Sequence, residues 1–269
     1  MDTPIHLHRS FARLGMRLKV APLISRFQTR PARTGFDLDI SQDREGEFFL
    51  LRVGQQPPDF QTLDVQPDLN QLLLMARTGE SKQKFLCGFD ERHLFTAAVP
   101  GQTIRSVRDA VLALKPPLVQ EQERREGLRD KDRLRRRNNA FVRQGEWFFI
   151  PVPDLIVPAE RIRRHEPLSR GGGSKPHVCT EAARIGGEIV MVCSRRPNGI
   201  SVKEYDHLIA TQQHTRGWNW TQRVRNPELY VRGEVRHKDH ATIHLNTWHR
   251  VLMNTENEAP GRQFVAFLD

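Results

Sequence analysis

Short apolar segments separated by turn-forming residues occupy residues 36–99 and restrict what this chain can fold into. Residues 36–40 alternate apolar and acidic side chains with a period of two, and residues 47–53 form an apolar run that ends at Gly54. Such runs, bounded by turn signals, predict strands. Further segments of this kind span 60–65, 72–77, 84–89 and 93–99. The run at 72–75 suits a helix equally well.

Two helices are marked by their first residues. Ser106 with Asp109 has the spacing of a capping box, with a shorter acid in the usual position of Glu, and Pro116 follows the apolar positions. Ser201 with Glu204 repeats the signal. More strands are predicted in 141–150, 187–193, 230–235, 241–245 and 248–253, the last three as a meander. We therefore predict an α+β protein of two small modules built on antiparallel sheets with a few helices.

The positive charge of the chain is unevenly distributed. Lys and Arg outnumber Asp and Glu by 42 to 32, a net charge of +10. Residues 1–35 carry seven basic side chains and one acidic one, residues 36–119 carry nine and twelve, and residues 120–139 carry eight and five. We divide the chain into a basic N-terminal arm (1–35), an α+β module (36–118), a charged helical or disordered connector (119–139), and an α+β module with a C-terminal β-meander (140–269).

Composition excludes several classes of protein. Apolar residues make up 38% of the chain, enough for a core, and no run of about 18 apolar residues predicts a transmembrane segment. Three cysteines are too few for a disulfide scaffold, and no apolar segment follows the first basic residues as a secretory signal requires. A reducing compartment, the cytoplasm, is therefore expected.

The clustered arginines predict binding to RNA or DNA, mainly through backbone phosphates, alone or within a nucleoprotein complex. Spacing i, i+4, i+8 places the first three arginines on one helix face, and two tryptophans lie among other arginines. The predicted contacts are Arg9, Arg13, Arg17, Arg133, Arg135, Arg136, Arg137, Arg161, Arg163, Arg164, Trp218 and Trp220. The alternatives are a solvated arm, a solvated linker and tryptophans that pack in the core. A basic arm could also dock an acidic protein partner in an assembly.

The densest group of reactive side chains is a histidine cluster, in which four of eleven histidines fall within thirteen residues. On a strand, His240 and His244 would be about 13 Å apart, at roughly 3.3 Å per residue, too far for one metal ion. His237 and His240 in a turn, or His244 and His249 across a turn at 246–247, could meet more easily. Asp239 could orient one imidazole.

This cluster predicts an alternative function, a metal-dependent phosphodiesterase or nuclease. Its catalytic residues would be His237, Asp239, His240 and His244, with Zn, Mg or Mn held by His237, His240 and His244. Metal-free general acid–base catalysis by His237 and His240 is a second possibility. Histidines on the surface of a basic sheet, without any catalytic role, are the third.

Two further groups contain cysteine. His177, Cys179 and Cys193 supply three of the four ligands of a zinc site, which His207 or His214 would complete. Cys87 with His93 has the residue types of a cysteine nucleophile and its base. Because each cysteine lies among apolar or small residues, buried inert thiols are the alternative in both cases.

Overall fold

The fold is α+β, as the sequence predicts, with several mainly antiparallel sheets and five α-helices in the described part of the chain. The structure is a computed structural model that describes residues 5–24, 35–91, 93–169 and 175–258. The chain divides into two compact units. Unit 1 comprises Met1–Glu146 and Met253–Gln263, and unit 2 comprises Trp147–Leu252 and Phe264–Asp269.

Unit 1 contains two sheets, formed by the apolar segments of residues 36–99 together with a strand at residues 18–22. Its elements are α1 (Ile5–Ala12), β1 (Leu18–Pro22), β2 (Phe36–Asp43), β3 (Gly46–Val53), β4 (Asp59–Gln66), β5 (Gln71–Thr78), β6 (Ser81–Asp90), β7 (His93–Val99), α2 (Val107–Ala113), α3 (Pro117–Arg125), α4 (Asp130–Arg133) and β8 (Val142–Gln144). One sheet has the order β1-β3-β2, with β1 parallel to β3, and the other is an antiparallel β4-β5-β6-β7 meander. The ambiguous run at 72–75 is therefore a strand.

The N-terminal segment is part of the core of unit 1. Leu7 and Phe11, one turn apart on α1, are fully buried, and the ring of Phe11 packs edge-on against Phe49 of β3 at 5.0 Å. Leu14 and Met16 are also buried, but they follow the end of α1, so no single helical stripe connects the four side chains. Residues 25–34 of the predicted arm lie outside the described residues.

The segment predicted as a connector, 119–139, forms most of α3 and all of α4 and belongs to unit 1. The capping signal before it is confirmed, because the Ser106 hydroxyl accepts a hydrogen bond from the Asp109 amide at 3.1 Å. Pro116, which follows the apolar positions of α2, is the N-cap of the next helix, and Pro117 is the first residue of α3. Proline is tolerated at the first helical position, where its missing N–H is not needed.

Unit 2 contains two antiparallel sheets and one helix. Its elements are β9 (Trp147–Pro151), β10 (Arg163–Leu168), β11 (His177–Ile185), β12 (Glu188–Cys193), β13 (Arg196–Ser201), α5 (Val202–Thr211), β14 (Thr221–Arg225), β15 (Glu228–Arg236) and β16 (Ile243–Met253). Five strands pair in the order β10-β11-β15-β16-β9, and three in the order β13-β12-β14. The predicted capping box of Ser201 and Glu204 begins α5, with both reciprocal hydrogen bonds present.

The predicted C-terminal meander is wrong in one respect. Residues 243–253 form a single strand, so 246–247 is not a turn. Between the pairs Val231–His249 and Gly233–Leu245, β16 contains two more residues than β15. A bulge can absorb extra residues without reversing the chain. The polar pair at 246–247 lies in that bulge, and His244 and His249 stay on one strand.

Candidate metal centre

The register of β11 against β15 brings two distant histidines together. Val178 pairs with Arg236, so the first residue of β11 lies beside the residue that follows the last of β15. These residues are His177 and His237, whose rings stack with centroids 4.1 Å apart. His240, in the loop between β15 and β16, adds a third ring 4.6 Å from that of His237. We call these three histidines the His triad.

The nitrogens of the His triad are close enough to form one ligand set. One ring nitrogen from each histidine can be chosen so that all three lie within 4.8 Å of one another. Zinc–imidazole bonds of 2.0–2.1 Å place the ligand nitrogens of a tetrahedral ion about 3.3 Å apart. On binding, the distances between the three nitrogens would therefore shorten by up to about 1.5 Å. Two of the three rings belong to the loop at 237–242, where such a shift disturbs no strand.

His177 is buried without a hydrogen bond. It is 2% exposed, and neither Nδ1 nor Nε2 has a hydrogen-bond partner among the described residues. Trp147 covers it edge-on, with ring centroids 6.5 Å apart. Burial, with the charges of His237 and His240 adding to it, lowers the pKa of His177 to about 3. The ring is therefore neutral at pH 7 and keeps a lone pair for a ligand.

His237 has its ring oriented by two backbone groups. The amide of Asp239 donates to Nδ1 at 3.1 Å, so Nε2 carries the proton and donates to the carbonyl oxygen of Lys175 at 3.2 Å. A carbonyl acceptor on one ring nitrogen is the usual support for a metal ligand. An ion at Nδ1 would replace the amide of Asp239. The orienting group is thus the amide of Asp239, whereas its carboxylate accepts two hydrogen bonds from the Lys175 ammonium.

Neither predicted metal set assembles as a whole. The triad takes His237 and His240 from one set and His177 from the other. His244 lies on β16, largely exposed, with Nδ1 3.7 Å from a carboxylate oxygen of Glu234. Cys179 is buried on β11, and burial, followed by the charge of Glu166, raises the pKa of its thiol to about 12. A protonated thiol is a poor metal ligand.

Cys193 lies on β12, in the other sheet of unit 2, and does not belong to any metal-ligand group found among the described residues. His207 on α5 and His214 in the 3-10 helix that follows it also belong to no metal-ligand group of the described residues.

The predicted nucleophile of unit 1 lacks the necessary geometry. Cys87 is fully buried on β6, and its sulfur lies 3.8 Å from the Thr96 hydroxyl. Burial raises the pKa of this thiol to about 12. His93 pairs instead with the Glu47 carboxylate through Nδ1 at 2.9 Å. Cys87 is therefore a core residue with an inert thiol.

Four of the predicted phosphate contacts meet carboxylates of the fold. Arg17 pairs with Asp43 and Glu45, Arg133 with Glu123, Arg135 with Asp132, and Arg136 with Asp90 and Glu91. The arginines of the predicted set outside these pairs are all exposed: Arg9, Arg13, Arg137, Arg161, Arg163 and Arg164. Trp218 and Trp220 are half-buried beside each other, with ring centroids 6.0 Å apart.

No protein-family model, curated protein or solved structure matches the chain significantly. Among the described helices, none is both long and apolar enough to cross a membrane. Function therefore has to be inferred from the chemistry of the residues themselves.

Proposed function

We propose that this protein binds one divalent transition-metal ion of the zinc class through His177, His237 and His240. The observation that carries the proposal is His177, an imidazole buried without a hydrogen bond and stacked against two further imidazoles. A buried polar group without a partner costs about 1–3 kcal/mol, which a bound ion would offset. Three free cysteines, all buried, fit a reducing compartment such as the cytoplasm.

The ligand type narrows the choice of metal. Imidazole suits Zn, Cu, Fe and Ni, whereas Mg prefers carboxylate, carbonyl and water oxygens. The carboxylate nearest in sequence, that of Asp239, accepts hydrogen bonds from Lys175, and the triad itself offers only nitrogen. Zinc therefore fits this centre better than Mg or Mn.

Three protein ligands are characteristic of a catalytic zinc site, which keeps a fourth position for water or substrate. A zinc ion held by the His triad would supply a water of lowered pKa as the nucleophile for hydrolysis. His237 and His240 are only half-buried, so that position can be reached from solvent, and the exposed Lys238 lies between them in the loop. Because the Lys238 cation is next to two of the ligands in sequence, it favours an anionic substrate. We therefore propose the hydrolysis of a phosphodiester as the reaction.

The test is a titration of chelator-stripped protein with Co²⁺, followed by displacement with Zn²⁺. We expect saturation at one ion per chain and visible d–d bands without the thiolate charge-transfer band that Cys179 or Cys193 would produce. His240→Ala, at a half-buried position, should weaken binding at least tenfold, and so should His177→Gln. His244→Gln is the matched control and should bind like the wild type. Equal Co²⁺ and Zn²⁺ affinities of the wild type and the three variants would contradict the proposal.

Turnover separates a catalytic centre from a purely binding one. The zinc-loaded protein should hydrolyse a chromogenic phosphodiester, lose this activity on chelation, and regain it when Zn²⁺ is added back. A fully loaded protein without turnover would remove the phosphodiesterase assignment and leave the metal site.

A further inference from the structure

A cluster of aromatic side chains in unit 2 lies on α5 and on the segment that connects α5 to β14, away from the residues of the His triad in sequence. We call it the aromatic corner; its members are Tyr205, His214, Trp218 and Trp220. The two tryptophan rings are stacked, 25° from parallel, with Tyr205 edge-on to Trp220 at 5.2 Å and His214 edge-on to Trp218 at 5.8 Å. Trp218 and Trp220 are half-buried, so the corner is not part of a closed core.

The rings of the aromatic corner are held in place. Trp220 donates from Nε1 to the carbonyl oxygen of Thr215 at 2.9 Å. Asn219, between the tryptophans, has a φ of +52°, a left-handed conformation that asparagine tolerates better than most residues. The guanidinium of Arg195 lies over the Trp218 ring, 4.7 Å from its centroid. Trp218 thus has an indole on one side and an exposed cation next to it.

Positive charge predominates in the segment that contains this corner. Residues 188–225 contain six basic and three acidic side chains. Of the acids, Glu188 pairs with Arg225, and Glu204 caps α5. The other five cations are all exposed: Arg195, Arg196, Lys203, Arg216 and Arg223. A depression of about 540 Å³ between β13 and α5 is lined by Arg196, Lys203, His207 and the capping residue Glu204, together with the apolar side chains of Ile200 and Leu208. Arg195 and Arg196 are adjacent, so they connect this depression to the Trp218 ring.

We propose that the aromatic corner and its cations bind single-stranded nucleic acid. Bases would stack on the exposed parts of Trp218 and Trp220, where Arg195 now lies, and the arginines would hold the phosphates. Bases of a duplex are already stacked on one another, so a duplex offers this surface only its phosphates. The chemistry is common to RNA and DNA, and it is independent of the proposed metal centre.

The test measures the anisotropy of labelled twelve-nucleotide oligo-U and oligo-dT with the full-length chain. Trp218→Ala should weaken binding by about 5- to 100-fold, the effect of losing one base–aromatic stack, and Trp218→Phe should weaken it less. Arg108→Ala, an exposed arginine on α2 of unit 1 that is not among the predicted contacts, is the matched control and should leave affinity unchanged. Arg216→Ala should lower the salt slope by about 0.7, the contribution of one phosphate of a single strand. The ratio of the two oligomers' affinities identifies the preferred class of nucleic acid.

Two measurements keep this proposal separate from folding and from the metal centre. The Trp218→Ala protein should still bind one Zn²⁺, which shows that unit 2 is intact, and His240→Ala should still bind the oligomers. The proposal is overturned if neither oligomer binds at about 50 mM salt, where phosphate contacts are strong. It is equally overturned if Trp218→Ala binds like the wild type, or if a base-free polyphosphate or an acidic peptide competes as well as the oligomers do.

Discussion

Glu123 is a carboxylate inside unit 1, where two cations meet it. It is 1% exposed and accepts hydrogen bonds from the Lys115 ammonium and from Nε of Arg133, the latter at 3.1 Å. Lys115 is also buried, and it donates to the carbonyl oxygen of Arg133 and lies 5.1 Å from the centroid of the Phe141 ring. Burial lowers the pKa of Lys115, while Glu123 partly offsets that effect. Removing one partner would leave an uncompensated charge in the interior.

We predict that Lys115→Met lowers the free energy of unfolding of unit 1 by about 3–5 kcal/mol, the usual cost of breaking a buried pair. Glu121→Gln removes the exposed ion pair with Arg125 on α3, the helix that also carries Glu123. This variant should change the free energy of unfolding by less than about 0.5 kcal/mol. Urea unfolding of the variants measures both. The double variant Lys115→Met/Glu123→Leu should recover part of the loss. A Lys115→Met protein as stable as the wild type would contradict this interpretation.

At the scale of elements, the sequence predicted helix caps better than it predicted which strands pair. The caps of α2 and α5 were predictable because Ser106 and Ser201 act on amides three residues away. The His triad was not, because it depends on β11 pairing with a strand about fifty residues later, and no local pattern encodes that register. Two of the three histidines could nevertheless be grouped from the sequence, since His237 and His240 are neighbours in one loop.

The role of α1 gives the prediction at this scale. Phe11→Ala should destabilise unit 1 by about 3–5 kcal/mol, because its fully buried ring would leave a cavity against Phe49. Arg13→Ala, just beyond the end of the same helix and exposed, should change stability by less than about 0.5 kcal/mol. Thermal or urea unfolding compares the two. Equal, small effects would show that the N-terminal segment is a loosely attached arm after all.

At the scale of the whole molecule, net charge proved a weak guide to partners. The excess of +10 concealed how the charges are arranged, since carboxylates of unit 1 engage Arg17, Arg133 and Arg136. The five exposed cations in the segment of the aromatic corner are a small part of the total positive charge, but they occur together with aromatic rings on which bases can stack. The pattern of apolar segments and capping signals predicted the α+β class, and no described helix is long and apolar enough to cross a membrane. The residues able to bind a partner could be grouped only with the fold.

The division into two units makes metal binding a local stabiliser. Zn²⁺ at 100 times its dissociation constant should stabilise unit 2 by about 2.7 kcal/mol, because the ion binds only the folded form. Hydrogen exchange should therefore slow in β11 and β15 and stay unchanged in β5 and β6. Equal slowing in both units, or none in either, would contradict a metal centre confined to unit 2.

The most direct measurement is the zinc content of the untagged protein after equilibrium dialysis against Zn²⁺, determined by elemental analysis beside His177→Gln and His244→Gln. We predict one zinc per chain in the wild type and in His244→Gln, with little retained by His177→Gln at the same free zinc concentration. A wild type that holds no more zinc than His177→Gln would show that the three stacked imidazoles are not a metal centre.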